Sequence, residues 1–202
     1  MNELIRMLSG GSLISDGRAN DVADSVLANP LLFNQLVEGL FDSDVVIRAR
    51  TAHALERISR THPKMVEGLL PKFIEMATQD PVPMVRWHIA MIFANLQLPA
   101  ESVDEIISVL FRMLEDPSVF VKSWAIVSLT ILGRQYTPIR SGIVDHIRLL
   151  LNDRSVAIRS KAIKSVRVLE NDDEPIPAGW IKQRDRANNN DQNNSEKIHR
   201  WH

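Results

Sequence analysis

An Asp followed six residues later by a basic residue recurs four times in this chain, each time with an aliphatic residue just before the base. The runs are Asp42…Ile47-Arg48, Asp80…Val85-Arg86, Asp116…Val121-Lys122 and Asp153…Ile158-Arg159. Successive Asp residues lie 38, 36 and 37 positions apart, about the length of one helical hairpin. A hairpin of that size cannot bury its own apolar faces, so units of this kind must stack. The functional question therefore moves from an enclosed cleft to a long surface.

Within each unit the apolar residues follow helical spacing. Leu36, Leu40 and Phe41 begin the series, followed by Leu69, Leu70, Phe73 and Met76 in the next unit. Ile106, Val109, Leu110, Met113 and Leu114 then recur, and finally Ile143, Ile147, Leu150 and Leu151. Steps of three and four residues describe an amphipathic first helix. The Asp-bearing turn comes next, and then a second helix. Counted from the base, the second helices are apolar at −1 (Ile47, Val85, Val121, Ile158), +7 (Leu55, Phe93, Leu129, Val166) and +10 (Ile58, Leu96, Leu132, Leu169). These offsets share one helical face. Small residues at +1 (Ala49, Ser123, Ser160) and +6 (Ala54, Ser128, Ser165) would let adjacent second helices approach closely.

The predicted organisation is a solenoid over 1–170, with repeats at 31–60, 63–97, 101–133 and 138–170. Residues 1–30 form a degenerate capping pair, with Leu4, Ile5 and Leu8 on one helix and Ala19, Val22, Ala23, Val26 and Leu27 on the other. Segment 171–202 is acidic, then proline-containing, then rich in Asn and Gln, a composition expected to form a polar, flexible tail. Trp201 and Gly179-Trp180-Ile181 are its apolar exceptions. About ten residues of extended chain reach ~30 Å, so Trp180 either docks on the last repeats, near Trp124, Val127, Ile131 and Val168, or sits in a solvated linker.

Helix pairs of about 37 residues with an Asp in the inner turn and a base six positions later resemble HEAT repeats. Asp80-Pro81-Val82-Pro83-Met84-Val85-Arg86 and Asp116-Pro117-Ser118-Val119-Phe120-Val121-Lys122 carry the likeness best. The resemblance implies an all-α, right-handed α-solenoid of the armadillo-like class, about five stacked antiparallel pairs including the cap. It also implies a ladder between adjacent repeats made by Asp42, Arg48, Asp80, Arg86, Asp116, Lys122, Asp153 and Arg159, and a concave groove lined by the second helices. The scaffold hosts many roles and names none of them.

The groove columns are those opposite the packed face. The +2 column reads Arg50, His88, Trp124, Lys161; +5 reads His53, Met91, Val127, Lys164; +9 reads Arg57, Asn95, Ile131, Val168. An apolar centre flanked by bases is the pattern of an interaction site, although helix stacking would also bury such a stripe. Arg50, His88, Met91, Trp124, Val127, Ile131, Lys161 and Lys164 are the expected partner contacts. Charge is polarised too: residues 1–44 hold seven acids and two bases, net −5, whereas 134–167 hold eight bases and two acids, net +6. An acidic partner could be steered to the last repeats.

Several chemistries are excluded or unsupported. Without cysteine there is no disulfide, thiolate nucleophile or Cys-ligated metal. His53 and His88 lack a third ligand, and His199 and His202 sit in the polar tail, so no metal or other cofactor is expected. Gly10-Gly11-Ser12 lacks the preceding strand and following Lys of a phosphate loop. Some HEAT-like proteins are alkylpurine DNA glycosylases, but the +1, +2, +5, +6 and +9 columns hold no carboxylate to act as their catalytic Asp. No apolar run approaches a membrane span, and the start of the chain lacks the features of a secretory signal. The expectation is a cytoplasmic, non-catalytic adaptor that holds a protein or peptide segment in its groove. A nucleic-acid binder using the basic last repeats is the alternative, and neither reading fixes the oligomeric state.

Overall fold

The computed structural model describes residues 2–13 and 15–182 and is built of α-helices and short 3-10 turns. The N-terminal pair is α1 (Glu3–Leu8) and α2 (Ala19–Ala28). Next come α3 (Phe33–Val37) with α4 (Val45–Ser59), and α5 (Pro63–Val66) and α6 (Leu70–Gln79) with α7 (Pro83–Asn95). The last two pairs are α8 (Ala100–Met113) with α9 (Val119–Gln135), and α10 (Arg140–Arg148) with α11 (Val156–Glu170). The second helices α2, α4, α7, α9 and α11 pack in sequence against one another, and each first helix covers one flank. The result is an α-solenoid.

Apolar periodicity places the core. Val85, Val121 and Ile158 are fully buried and Ile47 nearly so, as are Leu55, Phe93 and Leu129 one helical face further on. Val166, in the last pair, is only half-buried; among the described residues no further repeat stacks on it. The small positions serve close approach. Ser128 Oγ donates to the carbonyl of Ala90 at 2.6 Å, so α9 lies against the backbone of α7. Thr130 Oγ1 meets Ser165 Oγ at 2.5 Å between α9 and α11. Gly39 shows the same constraint between the first repeat and the cap: a Cβ there would stand 2.2 Å from Thr51 Oγ1 and 2.8 Å from Ile5 Cδ1.

The recurrent Asp has two tasks. Its Oδ1 accepts the amide of the residue two positions on: Asp44 (2.8 Å), Val82 (2.9 Å), Ser118 (2.8 Å) and Ser155 (2.8 Å). This Asx bond closes the turn one residue before the second helix begins. The other oxygen receives the base of the preceding repeat: Arg48 Nε to Asp80 at 2.9 Å, Arg86 Nε to Asp116 at 2.8 Å and Lys122 Nζ to Asp153 at 2.9 Å. Each base thus reaches forward one repeat. Arg48, Arg86 and Arg159 also donate to the backbone carbonyls of their own Asp42, Asp80 and Asp153, at 2.9, 2.7 and 2.7 Å. The Ser155 amide, and after it the Lys122 ammonium, hold the Asp153 carboxyl below its ordinary pKa. Among the described residues Asp42 has no base behind it and Arg159 no Asp ahead.

That asymmetry separates the two tasks. Asp116→Ala removes a turn bond and leaves Arg86, whose side chain is only 12% exposed, without its carboxylate and held by the Asp80 carbonyl alone; the expected loss is about 2–3 kcal/mol. Asp42→Ala removes the turn bond alone and should cost about 1 kcal/mol. Urea denaturation of both variants measures the difference, and equal losses would show that the forward pairs add nothing to the turns.

Candidate functional site

The face presented by α4, α7, α9 and α11 differs along its length. At the first end Arg50 is not a groove cation. It is 4% exposed, and its guanidinium donates to the carbonyls of Leu8 (2.8 Å), Gly10 (2.7 Å), Ser12 (3.2 Å) and Ser15 (3.2 Å). The loop between α1 and α2 wraps over it because the loop needs donors for carbonyls that no helix satisfies. Gly17, at φ +54°, lets the backbone pass where a Cβ would lie 2.6 Å from Arg50 Cζ.

His88 is likewise a buried residue and not a groove contact. It stacks on His53 with ring centroids 4.7 Å apart. Its Nδ1 lies 2.7 Å from the Met84 carbonyl, and because a carbonyl only accepts, that nitrogen carries the proton. His53 Nδ1 faces the Asp16 carboxylate at 3.5 Å without a hydrogen bond. Glu56, fully buried beside them, is neutralised by Arg60 at 2.9 Å. Met91 is also buried, since α7 is enclosed by α4, α6 and α9. The +2 and +5 columns of the first two repeats are thus interior. The helical wheel missed this because a helix flanked on three sides leaves a narrower open arc than an amphipathic pattern suggests.

The second end holds the remaining candidates. Residues that follow α11 turn back over α9 toward α7. Trp180, 8% exposed, packs with Ala94, Val127 and Ile131, and Trp124, Ile176 and Ile181 border the cluster. Val127 and Ile131 are 1% and 6% exposed under this cover. The expected flexible tail from residue 171 is therefore packed as far as Lys182, while residues 183–202, with His199, Trp201 and His202, lie outside the described residues. A turn aims the indole: the main-chain N–H of Trp180 donates to the Pro177 carbonyl at 3.2 Å, and Gly179 takes φ +79°. Lys161 Nζ stands 5.2 Å from the Trp180 ring centroid and 5.8 Å from that of Trp124, and Lys182 Nζ stands 5.5 Å from Trp124. Burial first, then the charges of Lys164 and Lys182, push the Lys161 pKa down. A cleft of about 340 Å³ borders Ile181 along Ala94, Asn95, Ile131 and Gln135 and is also lined by Lys64 and Glu67.

The base of this segment is fixed. Arg134 donates to the carbonyls of Val168 (2.9 Å), Asn171 (3.1 Å) and Asp172 (2.7 Å), and Arg140 pairs with the Asp172 carboxylate at 2.8 Å. Arg148 pairs with Glu170. Arg134 and Arg140 are thus spent on contacts within the protein, whereas Arg148, Arg154, Lys164 and Arg167 are exposed. The sequence flagged Trp180 as the apolar point of a polar segment, but it carried no signal for Ala94, Lys182 or the carbonyls collected by Arg134.

Fold and site together define a helical-repeat solenoid of armadillo-like architecture. Several solved structures similar to it are engineered proteins. One is a designed armadillo repeat protein in complex with the peptide (KR)4, at 15% identity and TM-score 0.60, matching 83% of this chain and 80% of that one. Another is a computationally designed armadillo repeat protein for modular peptide recognition, at 15% identity and TM-score 0.59, over 83% and 81% of the two chains. An engineered protein from a structural genomics effort matches at 19% identity and TM-score 0.60, over 83% and 79%. No family model and no curated protein matches the chain. Among the described residues no three His, Asp or Glu side chains gather for a metal ion, and no helix is long and apolar enough to cross a membrane.

The buried histidines give an acid-sensitivity prediction. Burial, then the neighbouring His53, push the His88 pKa down to about 3; burial also lowers His53, against the pull of Asp16 and Glu56. Folded values below the unfolded value near 6.5 mean that the unfolded chain takes up protons that the folded one refuses. Stability is full above pH 6.5 and falls as pH drops below it, by up to about 1.4 kcal/mol per pH unit per proton. Between pH 6.5 and 4.5 most carboxylates remain ionised, so His88→Phe should flatten the stability profile in that window. An unchanged slope in denaturant titrations across the window would show that His88 is not the group responsible.

Proposed function

We propose that the chain is a non-catalytic HEAT-repeat scaffold that holds a protein or peptide segment along the C-terminal half of its second-helix face. The two-helix units and the Asp-to-base ladder support the HEAT assignment. One observation carries the binding reading: this face already holds a non-helical segment, residues 176–182, whose turn at Gly179 sets an indole on α9. Apolar anchorage with few polar contacts suits a scaffold that recognises short segments. The peptide named with one of the similar designed proteins, and the recognition purpose of another, are in keeping with it. The contact set is Trp124, Val127, Ile131, Lys161 and Lys164, joined by Ala94; Arg50, His88 and Met91 drop out because they are buried elsewhere.

The polyanion alternative receives less support, since Arg134, Arg140, Arg148 and Arg159 already pair with carbonyls and carboxylates of this chain, although Arg154, Lys164 and Arg167 are exposed. The full chain carrying Trp180→Ala, titrated calorimetrically with a synthetic peptide of residues 173–182, should bind it one to one. Trp124→Ala with Ile131→Ala in that background should weaken binding at least about tenfold. Binding should change little with salt, unlike the steep loss that phosphate contacts show. No saturable binding, or binding indifferent to the two substitutions, overturns the reading.

A further inference from the structure

We infer that segment 176–182 is an exchangeable occupant of the groove, and that the partner it excludes is an acidic segment carrying an aromatic anchor. This rests on the peptide-groove reading and adds the partner's chemistry and its regulation.

The tail fits the groove in shape and misfits it in charge. Its apolar half is well placed: Ile176, Trp180 and Ile181 meet Ala94, Trp124, Val127 and Ile131. Its next residue is Lys182, which brings a third ammonium to a site that already holds Lys161 and Lys164. Among the described residues no carboxylate lies within ion-pair distance of Lys161, Lys164 or Lys182. Lys161 and Lys182 are met instead by the faces of Trp124 and Trp180, which favour a cation less than a carboxylate does at an exposed site. A segment with the same aromatic anchor and carboxylates after it would keep the apolar contacts and remove the repulsion. The cleft bordering Ile181 gives its following residues room.

The attachment of the tail supports exchange. Arg134 and Arg140 clamp Val168, Asn171 and Asp172, so release need only begin after Glu174. Pro175 and Pro177 stiffen the chain there, and no helix or strand contains the segment. A tail tethered so closely competes at an effective concentration on the order of millimolar. Weak or wrongly charged ligands are thereby turned away, and a well-matched one displaces it.

The test uses full-length protein and two fluorescent peptides: residues 173–182 as they stand, and the same peptide with Glu in place of Lys182 followed by two more Glu. Trp180→Ala vacates the groove. Gly179→Val is a second route, since it keeps every anchoring side chain and opposes only the +79° turn; circular dichroism establishes that both variants remain helical. The acidic peptide should bind each variant at least about tenfold more tightly than the lysine peptide at low salt. That preference should vanish in Lys161→Gln with Lys164→Gln. Wild-type protein should bind the acidic peptide several-fold more weakly than the variants.

Equal binding of the two peptides refutes the charge preference while leaving the groove reading intact. Equal affinity in wild type and variants refutes the competitor role. Failure of both peptides on both variants removes the groove reading itself. A wild-type chain that forms dimers, which the two tail variants abolish, refutes the intramolecular exchange and assigns the tail to a second copy.

Discussion

The structure depends on the closeness with which consecutive second helices approach. Where Ser128 donates to the Ala90 carbonyl, α9 lies against the main chain of α7, with only a hydroxyl between them. Fully buried small residues such as Ala54, Ser128 and Ser165 permit this spacing. The spacing in turn sets how far the Asp of one repeat stands from the base of the one before. At a wider separation the 2.8–2.9 Å forward pairs could not form. Packing fixes the distance and the ladder fixes the register, and together they define the face on which the tail rests.

The repeat architecture was readable because each unit states it again. The Asp, the base and the aliphatic residue before it recur at one interval, and four repetitions outweigh local noise. The forward direction of the ladder was not readable, since spacing alone cannot tell an Asp's own base from its neighbour's. Groove membership was less legible still. Trp124, Lys161 and Lys164 stand together at the second end, whereas Arg50 and His88, from the same column as Trp124 and Lys161, are interior. A helical wheel treats every repeat alike. Its neighbours do not: α4 receives the loop of a cap, and α9 receives the tail.

Occupancy changes how the groove is understood. Val127 and Ile131 would be an exposed apolar stripe on a bare solenoid, and such stripes invite aggregation. With Trp180 over them they are almost fully covered. The same contact would keep the protein monodisperse and restrict its recognition, because what satisfies the stripe also guards it.

Arg50 and Arg134 stand at opposite ends of the stack, and each gathers several main-chain carbonyls from an irregular segment. A guanidinium that binds carbonyls is blind to the side chains those residues carry. These contacts hold the two end segments by the path of the chain and not by its lettering, although at the second end the Asp172 carboxylate and the Trp180 indole add side-chain holds of their own. Where only carbonyls are gathered, as around Arg50, the residues could change without opening that end. Comparison by sequence would lose sight of such termini long before their shape had changed.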